Sequence, residues 1–513
     1  MKTNKYLFTL ILIPFVLFYA FPAGAVEKEE RKWQDETIYY IMVDRFSNID
    51  SNNDFVVDAD GPMAYHGGDF KGIIDRLDYL KEMGFTALRL TPVFDNEAGG
   101  YHGYLINDFY KTEEHFGTIN EFKQLVKEAH DRDMKIILDF VVNQVGPNHE
   151  WTNDPEKQDW FQQKQEIVNV EDKEARENGQ LNGMPDLDQD HPEVRKYLLD
   201  AATWWIEETD IDGYGLDAVD HVPISFWEDF AKEVKQKKED FYLIGEISSD
   251  DPNEIAEYKK TGIDGFVDYP LNNYLRKAFS KPDQSLGTLF SAWEQHQESY
   301  DNPYLMGTFM DNDQTARFTR DIIKNEIHPG PRWKLALTYL YTTPGIPIVY
   351  YGSEIALDGG DEPDNHRQMD FRTDKELVDY ITKLGELRDQ YPSLTRGTIE
   401  LLFEDKGMVV YKRTSGDETS VIAINNSSET KSAELEESSL DADKELRGLL
   451  NGDLIKSSEG QYKLVLDREE AEIYFLTEKT GLNIPYLTVM GAVYAAFLVF
   501  IILVWKRSRR KSS

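Results

Sequence analysis

A (β/α)8 barrel with an inserted subdomain, followed by a separate antiparallel β-domain, is the fold this sequence predicts, and three observations predict it. Eight short apolar runs alternate with amphipathic helical patterns. The gap after the third run is too long for one crossover. Beyond residue 396 the alternation gives way to short β-prone pieces separated by Asn, Gly and Ser turns. A chain of 513 residues predicts two or three domains, and 40% hydrophobic with 12% aromatic content is enough to fill a large core.

The eight runs are 37–43, 87–93, 136–142, 213–219, 242–247, 265–269, 305–310 and 346–350. Helical patterns separate them, among them 73–83, 119–132 and 193–208. Residues 33–396 therefore make the barrel, and the polar, charge-rich 144–186 segment makes a subdomain inserted after strand 3. The β-domain runs over 397–478 and takes its strands from 408–412, 420–425, 461–465 and 472–476. No internal repeat is present.

Both termini read as membrane addresses. Lys2 and Lys5, the apolar run 7–19 and Ala23-Gly24-Ala25 predict a secretory signal peptide over 1–25. An uncharged stretch, 487–505, predicts a single transmembrane helix over 486–505, flanked by Tyr486 and Trp505. The basic tail at 506–513 should then be cytoplasmic, with the catalytic body outside the cell membrane. A formal net charge of -38 argues against nucleic acid as a partner. The absence of cysteine excludes disulfides and thiolate metal sites.

Chemistry in such a barrel sits at the strand C-termini. Acids stand at several of them: Asp139, Asp217, Glu246 and the Asp311-Asn312-Asp313 cluster. Glycosidic hydrolysis needs one carboxylic acid to protonate the leaving oxygen, and a second carboxylate to attack the sugar carbon or activate water. One such acid alone is an ordinary cap or ion pair; four strand ends carrying them form a pattern.

At these residues the chain resembles the α-amylase family, glycoside hydrolase family 13, across roughly 33–478. The motifs are Tyr101-His102-Gly103-Tyr104, Asp139 to Asn143, Met184-Pro185-Asp186-Leu187-Asp188, Gly213 to His221, Gly245-Glu246, Phe309 to Asn312 and Gly345 to Gly352. The resemblance implies a retaining mechanism on α-1,4-glucans such as starch, glycogen or malto-oligosaccharides. By position Asp217 would be the nucleophile and Glu246 the general acid/base. His102, Tyr104, Asp139, Gln144 and Asp313 would contact the sugar. The Trp204-Trp205 pair fits a bacterial subgroup and equally fits helix packing.

Calcium is the implied cofactor. Asn143, Asp186 and His221 stand at the family's calcium positions, and oxygen ligands suit that cation. A second loop, Asn48, Asp50, Asn53 and Asp54 joined by Gly67 and Asp69, resembles a calcium loop of the cyclodextrin-acting branch; polar turns of this composition also occur without metal.

The departures from the family pattern gather at the reacting centre. Gln144 replaces a histidine, Gly215 an arginine, Asp220 a lysine, Leu105 and Arg89 tryptophans. An ungapped match puts Asp313 where a histidine belongs and Gln314 where the third acid belongs, unless a one-residue shift lets Asp313 serve. Glu362 and His366 stand where an Asp and an Arg often grip the glucan. With Gly215 in place, Asp217 lacks its cationic neighbour and its pKa should rise. Two readings stand open: a weak or altered amylase-type hydrolase, and a non-catalytic glucan-binding or cell-surface protein on the same scaffold.

Overall fold

The computed structural model describes residues 31–163, 167, 173–247, 249, 251–373, 375–441, 443–479 and a helix over 484–509. The elements below belong to the unit Gln34–Ser513. The proposed signal peptide, 1–25, lies outside the described residues.

Eight parallel strands form the barrel: β1 Ile38–Ile41, β2 Ala87–Leu90, β3 Lys135–Phe140, β4 Gly213–Leu216, β5 Tyr242–Gly245, β6 Gly265–Phe266, β7 Gly307–Phe309 and β8 Ile346–Tyr350. Their hydrogen-bonded order is β6-β5-β4-β3-β2-β1-β8-β7. A parallel bridge between Val267 and Gly307 joins β6 to β7 and closes the ring. Every residue of β1, β2, β4 and β5 is buried, which explains why they read as continuous apolar runs rather than alternating ones. All but the last of the apolar runs overshoot their strands at the C-terminal end. There the buried chain leaves the ladder and turns into the loops that carry the acids.

The crossover helices begin where local chemistry caps them. Helix α1, Phe70–Glu82, starts at Asp69, whose side chain accepts from Gly72 N. Helix α2, Ile119–His130, has a complete capping box between Thr118 and Glu121. The segment between β3 and β4 folds over the barrel end. Its two ends are pinned by antiparallel bridges, Gln144 to Asp186 and Phe161 to Leu187, and Trp151 packs edge-on against Trp160 with ring centroids 4.8 Å apart.

The C-terminal domain consists of β9 Thr398–Asp405, β10 Met408–Ser415, β11 Glu418–Asn425, β12 Lys431–Glu436, β13 Lys444–Gly448, β14 Leu454–Lys456, β15 Gln461–Leu466 and β16 Glu470–Glu478. A six-stranded sheet, β9-β10-β11-β16-β13-β14, faces the β12–β15 pair. Val410, Val421, Leu435, Leu464 and Tyr474 are in the core between them. In β15 buried and exposed residues alternate, the period-two signature of a half-buried strand. Buried Arg413 joins this domain to the barrel by donating to the carbonyls of Thr342 and Gly397.

One expectation is corrected here. Ile484–Arg509 is helical, but among the described residues no helix is long and apolar enough to cross a membrane. The transmembrane helix drops out of the fold class. The single-pass cell-membrane location, the outward-facing body and the cytoplasmic tail drop out with it.

Candidate active site

The mouth of the barrel gathers its functional side chains from the ends of consecutive strands. Asp139 is in β3, Asp217 follows β4, Glu246 follows β5, and Asp311 to Gln314 follow β7. All four acids of the centre are buried, with exposures of 1% for Asp139, 8% for Asp217, 3% for Glu246 and 5% for Asp313.

A guanidinium sits among them, and it comes from β2. Arg89 is 2% exposed; its Nε donates to Asp139 Oδ1 at 2.6 Å and its Nη2 donates to Glu246 Oε1. The register places Tyr40 of β1 beside Arg89, and the guanidinium carbon lies 4.4 Å from the Tyr40 ring centroid. The register also pairs Asp139 with Gly215. A Cβ at residue 215 would fall inside van der Waals contact of Asp139 Oδ1 and 2.7 Å from Arg89 Nε. The absent side chain at 215 is the space that the Arg89–Asp139 pair occupies.

Most of the remaining polar atoms are turned toward one another; Asp313 Oδ1 is buried without a partner among the described residues. Tyr40 OH donates to Asp139 Oδ2 at 2.8 Å and Tyr104 OH donates to Asp313 Oδ2 at 2.8 Å. Glu246 Oε2 accepts from Gln314 Nε2 at 3.1 Å and from Tyr269 OH at 3.3 Å, and Asn312 Nδ2 donates to Tyr269 OH at 2.7 Å. Asp313 and Gln314 thus divide the seventh strand's end. Asp313 faces Tyr104, and Gln314 faces Glu246. Among the described residues no cation lies within ion-pair distance of Asp217.

Burial against a single guanidinium shapes the electrostatics. Asp217 is pushed well above the carboxylate range, first by burial and then by Glu246, Asp313 and Asp139. Burial also raises Asp313, to about 6, with Asp139 adding to it. Glu246 and Asp139 are raised by burial as well, and for both Arg89 is the largest opposing influence.

The other sequence-predicted residues fall around this centre. His102 lies against Tyr104, its Nδ1 accepting from Tyr104 N at 3.2 Å, and burial lowers it to about 4, so it is neutral at pH 7. Gln144 is buried at the entrance to the inserted segment. His366 faces inward, with Nε2 2.7 Å from the Asp313 carbonyl and Nδ1 3.0 Å from Tyr101 OH. Asp220 pairs with buried Arg176, Nε to Oδ2 at 3.0 Å, and Arg176 also pairs with Glu254. An acid in the family's lysine position is thus answered by an arginine of the inserted segment.

The first proposed calcium set converges. Asn143 Oδ1 faces Asp186 Oδ1 at 3.1 Å and the His221 carbonyl at 3.1 Å, oxygen against oxygen, while its amide nitrogen faces Gln144 Oε1. Turned over, the amide would instead donate to Asp186 Oδ1 and the His221 carbonyl, still leaving Asp186 Oδ2 without a donor. Asp186 Oδ2 is buried without a hydrogen bond among the described residues, and burial with Asp188 nearby raises Asp186 to about 9. A hard cation among three inward oxygens would resolve all of this, so the residues fit calcium. The second set is also drawn together: Asn48 donates to Asp54 at 2.8 Å, and Gly67 abuts both side chains. Asp69, however, is committed to the α1 cap and to Ile49 N and Asp50 N, and Asp50 pairs with Lys71. Asn53 Oδ1 is left buried without a partner among the described residues. No group of three His, Asp or Glu side chains among the described residues is placed to hold a metal; the first set leans on Asn143 and the His221 carbonyl instead.

Arg89, Tyr40, Tyr269 and Arg176 are the functional-site residues that sequence reasoning missed. Arg89 had a readable signal, the single charge within a buried apolar strand beside the loss of an arginine at 215. Arg176 had none, since it lies in a polar segment among other charges.

The catalytic-domain model of the α-amylases matches residues 40–392, and the model of their C-terminal domain matches 397–474. A cyclomaltodextrinase of Geobacillus thermopakistaniensis is 32% identical over 77% of this chain and 70% of its own. A β/α-amylase of Paenibacillus polymyxa is 32% identical over 86% of this chain, which spans 38% of that longer protein. Two solved α-amylases superpose over 88% of this chain and all of theirs. The Anoxybacillus one has a TM-score of 0.87 at 60% identity, and the Geobacillus thermoleovorans one, complexed with acarbose, 0.86 at 57%. The chain belongs to the α-amylase family of glycoside hydrolases.

Proposed function

We propose that this chain is an α-1,4-glucan-directed member of the family in which retaining hydrolysis by Asp217 and Glu246 is strongly attenuated. The observation that carries the reading is the inward pairing of the barrel mouth. Both bond-making carboxyls are kept on adjacent strand ends, yet Glu246, the proton donor by position, is bound to Arg89, Gln314 and Tyr269. Sugar hydroxyls entering the site must compete with these bonds. Each lost preorganised partner of this kind costs about 10²–10³ in kcat, and grouped losses do not simply multiply.

The test uses the purified full chain and an activated fluoro-glucoside. A sugar adduct on Asp217, with slow turnover abolished by Glu246→Gln, supports attenuated hydrolysis. Rates at the level of a vigorous amylase contradict it. The inward pairing also favours a second reading, glucan binding without turnover. Calorimetry with a malto-oligosaccharide then decides, since absence of both adduct and binding heat removes both readings.

Calcium joins the proposal through the three facing oxygens. Asn143, Asp186 and the His221 carbonyl would hold the ion between barrel and inserted segment, where it would supply fixed positive charge and stiffen the loops. The Asn48–Asp69 loop is the weaker candidate, because Asp69 and Asp50 already have partners. Calorimetric titration of chelated protein with calcium chloride, compared with Asp186→Ala, tests the first set without reference to activity. Undiminished binding in that variant contradicts the assignment.

A further inference from the structure

We propose that Arg89 is a relocated positioning residue: the cation of the reacting centre has moved from the fourth strand to the second, where it pairs with Glu246 and Asp139 and not with Asp217. Three independent features of geometry agree. Arg89 reaches both carboxylates from one guanidinium, with Nε on Asp139 and Nη2 on Glu246. The room it needs exists because residue 215 has no side chain, and a Cβ there would meet both members of the Arg89–Asp139 pair. The face of Tyr40, itself bonded to Asp139, backs the guanidinium and fixes its plane.

A consequence for proton placement follows. Four buried carboxyls, Asp139, Asp217, Glu246 and Asp313, share one guanidinium, so they cannot all be ionised at neutral pH. The two that Arg89 touches are best placed to keep their charge. Glu246 is faced by Arg89 from β2, Asp139 from β3, Asp217 from β4, Tyr269, and Asp313 with Gln314 from the end of β7; only the first of these is cationic. Asp217 has three carboxyls for neighbours; it makes no ion pair among the described residues and feels Arg89 only through space, as the weaker, opposing influence. The resting centre therefore holds an anionic Glu246 and a protonated Asp217. That is the reverse of what nucleophile and acid need at the outset of retaining hydrolysis. This deepens the reading of attenuated hydrolysis, and it gives that attenuation a single electrostatic cause.

Difference infrared spectroscopy of the full-length protein at pH 7 reads the proton directly and does not require turnover. Asp217→Asn should remove a protonated-carboxyl carbonyl band from the wild-type spectrum, and Glu246→Gln should remove only carboxylate absorption. In an Arg89→Met background Glu246→Gln should instead remove a protonated band, while Arg89→Lys should keep the wild-type pattern in part. Loss of carboxylate from Asp217→Asn together with loss of a protonated band from Glu246→Gln would overturn the proposal. Those two comparisons retain Arg89, so they decide the matter even if Arg89→Met fails to fold. Slow hydrolysis with the ordinary proton pattern would refute the relocation and leave the attenuated hydrolase intact; the reversed pattern with vigorous hydrolysis would do the opposite.

Discussion

Two neighbouring regions of the same barrel end answer burial in opposite ways. At the mouth, Asp139, Glu246 and Oδ2 of Asp313 are met by Arg89, Tyr40, Tyr104, Tyr269 and Gln314, and only Asp313 Oδ1 among these carboxylate oxygens is buried without a partner among the described residues. At the junction with the inserted segment, Asn143, Asp186 and the His221 carbonyl turn oxygens toward one another, and Asp186 Oδ2 has no hydrogen bond among the described residues. Natural interiors tolerate few unsatisfied polar groups. The first region therefore reads as a site that answers itself, and the second as one that awaits a cation. The family's scaffold is retained; on the proposed reading the second region is its ion pocket and the first is its reacting centre, rewired around Arg89.

The largest effect should come from breaking the self-answering region. Arg89→Met leaves Asp139 and Glu246 buried without their cation, and removing one partner of a buried ion pair costs about 3–5 kcal/mol. Denaturant unfolding at pH 7 measures it; a loss under about 1 kcal/mol would show that the pairs do not form. The second region should show the contrasting behaviour. Calcium at about 100 times its Kd should stabilise the wild type by about 2.7 kcal/mol, and Asp186→Ala should abolish that gain. Equal stabilisation of both proteins would detach the three oxygens from calcium.

A pH experiment sharpens the comparison further. Asp313 is held at about 6 in the folded protein, above its ordinary 3.8, first by burial and then by Asp139. A raised folded value means that the native state binds the extra proton. Its stabilisation is fully present below about 4 and lost as pH rises through about 6. Asp313→Asn should remove that slope, a difference on the order of 3 kcal/mol across the window. Identical pH–stability curves would show that Asp313 is not buried as described. The smallest effect is expected from Tyr104→Phe, which removes one hydrogen bond to Asp313 and should cost about 1–2 kcal/mol in the same unfolding measurement.

Much of this architecture was legible because it is written locally. The buried strands such as Ile38–Ile41 and Ala87–Leu90 announce themselves as apolar runs, and Thr118 with Glu121 marks a helix start in four residues. The retained acids were legible as strand ends. Arg89 was visible only as a missing tryptophan, because its partners lie 50 and 157 residues away and no local pattern records such a pairing. Asp217 makes no ion pair among the described residues, while Arg89 brings a cation to its neighbours Asp139 and Glu246. The C-terminal apolar run was readable as a helix, since propensity is local. A membrane span needs a continuous apolar length, which the described residues do not provide.

The most direct test of the rewiring is a double-mutant cycle between residues 89 and 215, read by denaturant unfolding. Gly215→Arg alone should be strongly destabilising, because its side chain enters the space of Asp139 and Arg89. Arg89→Trp alone should leave buried acids unpaired. Combined, the two substitutions return one arginine to the centre, and the double variant should be at least 2 kcal/mol more stable than the sum of the singles predicts, within the range that coupled neighbours show, about 0.5–3 kcal/mol. Simple additivity would contradict the account, because two positions that exchange one cation cannot behave independently.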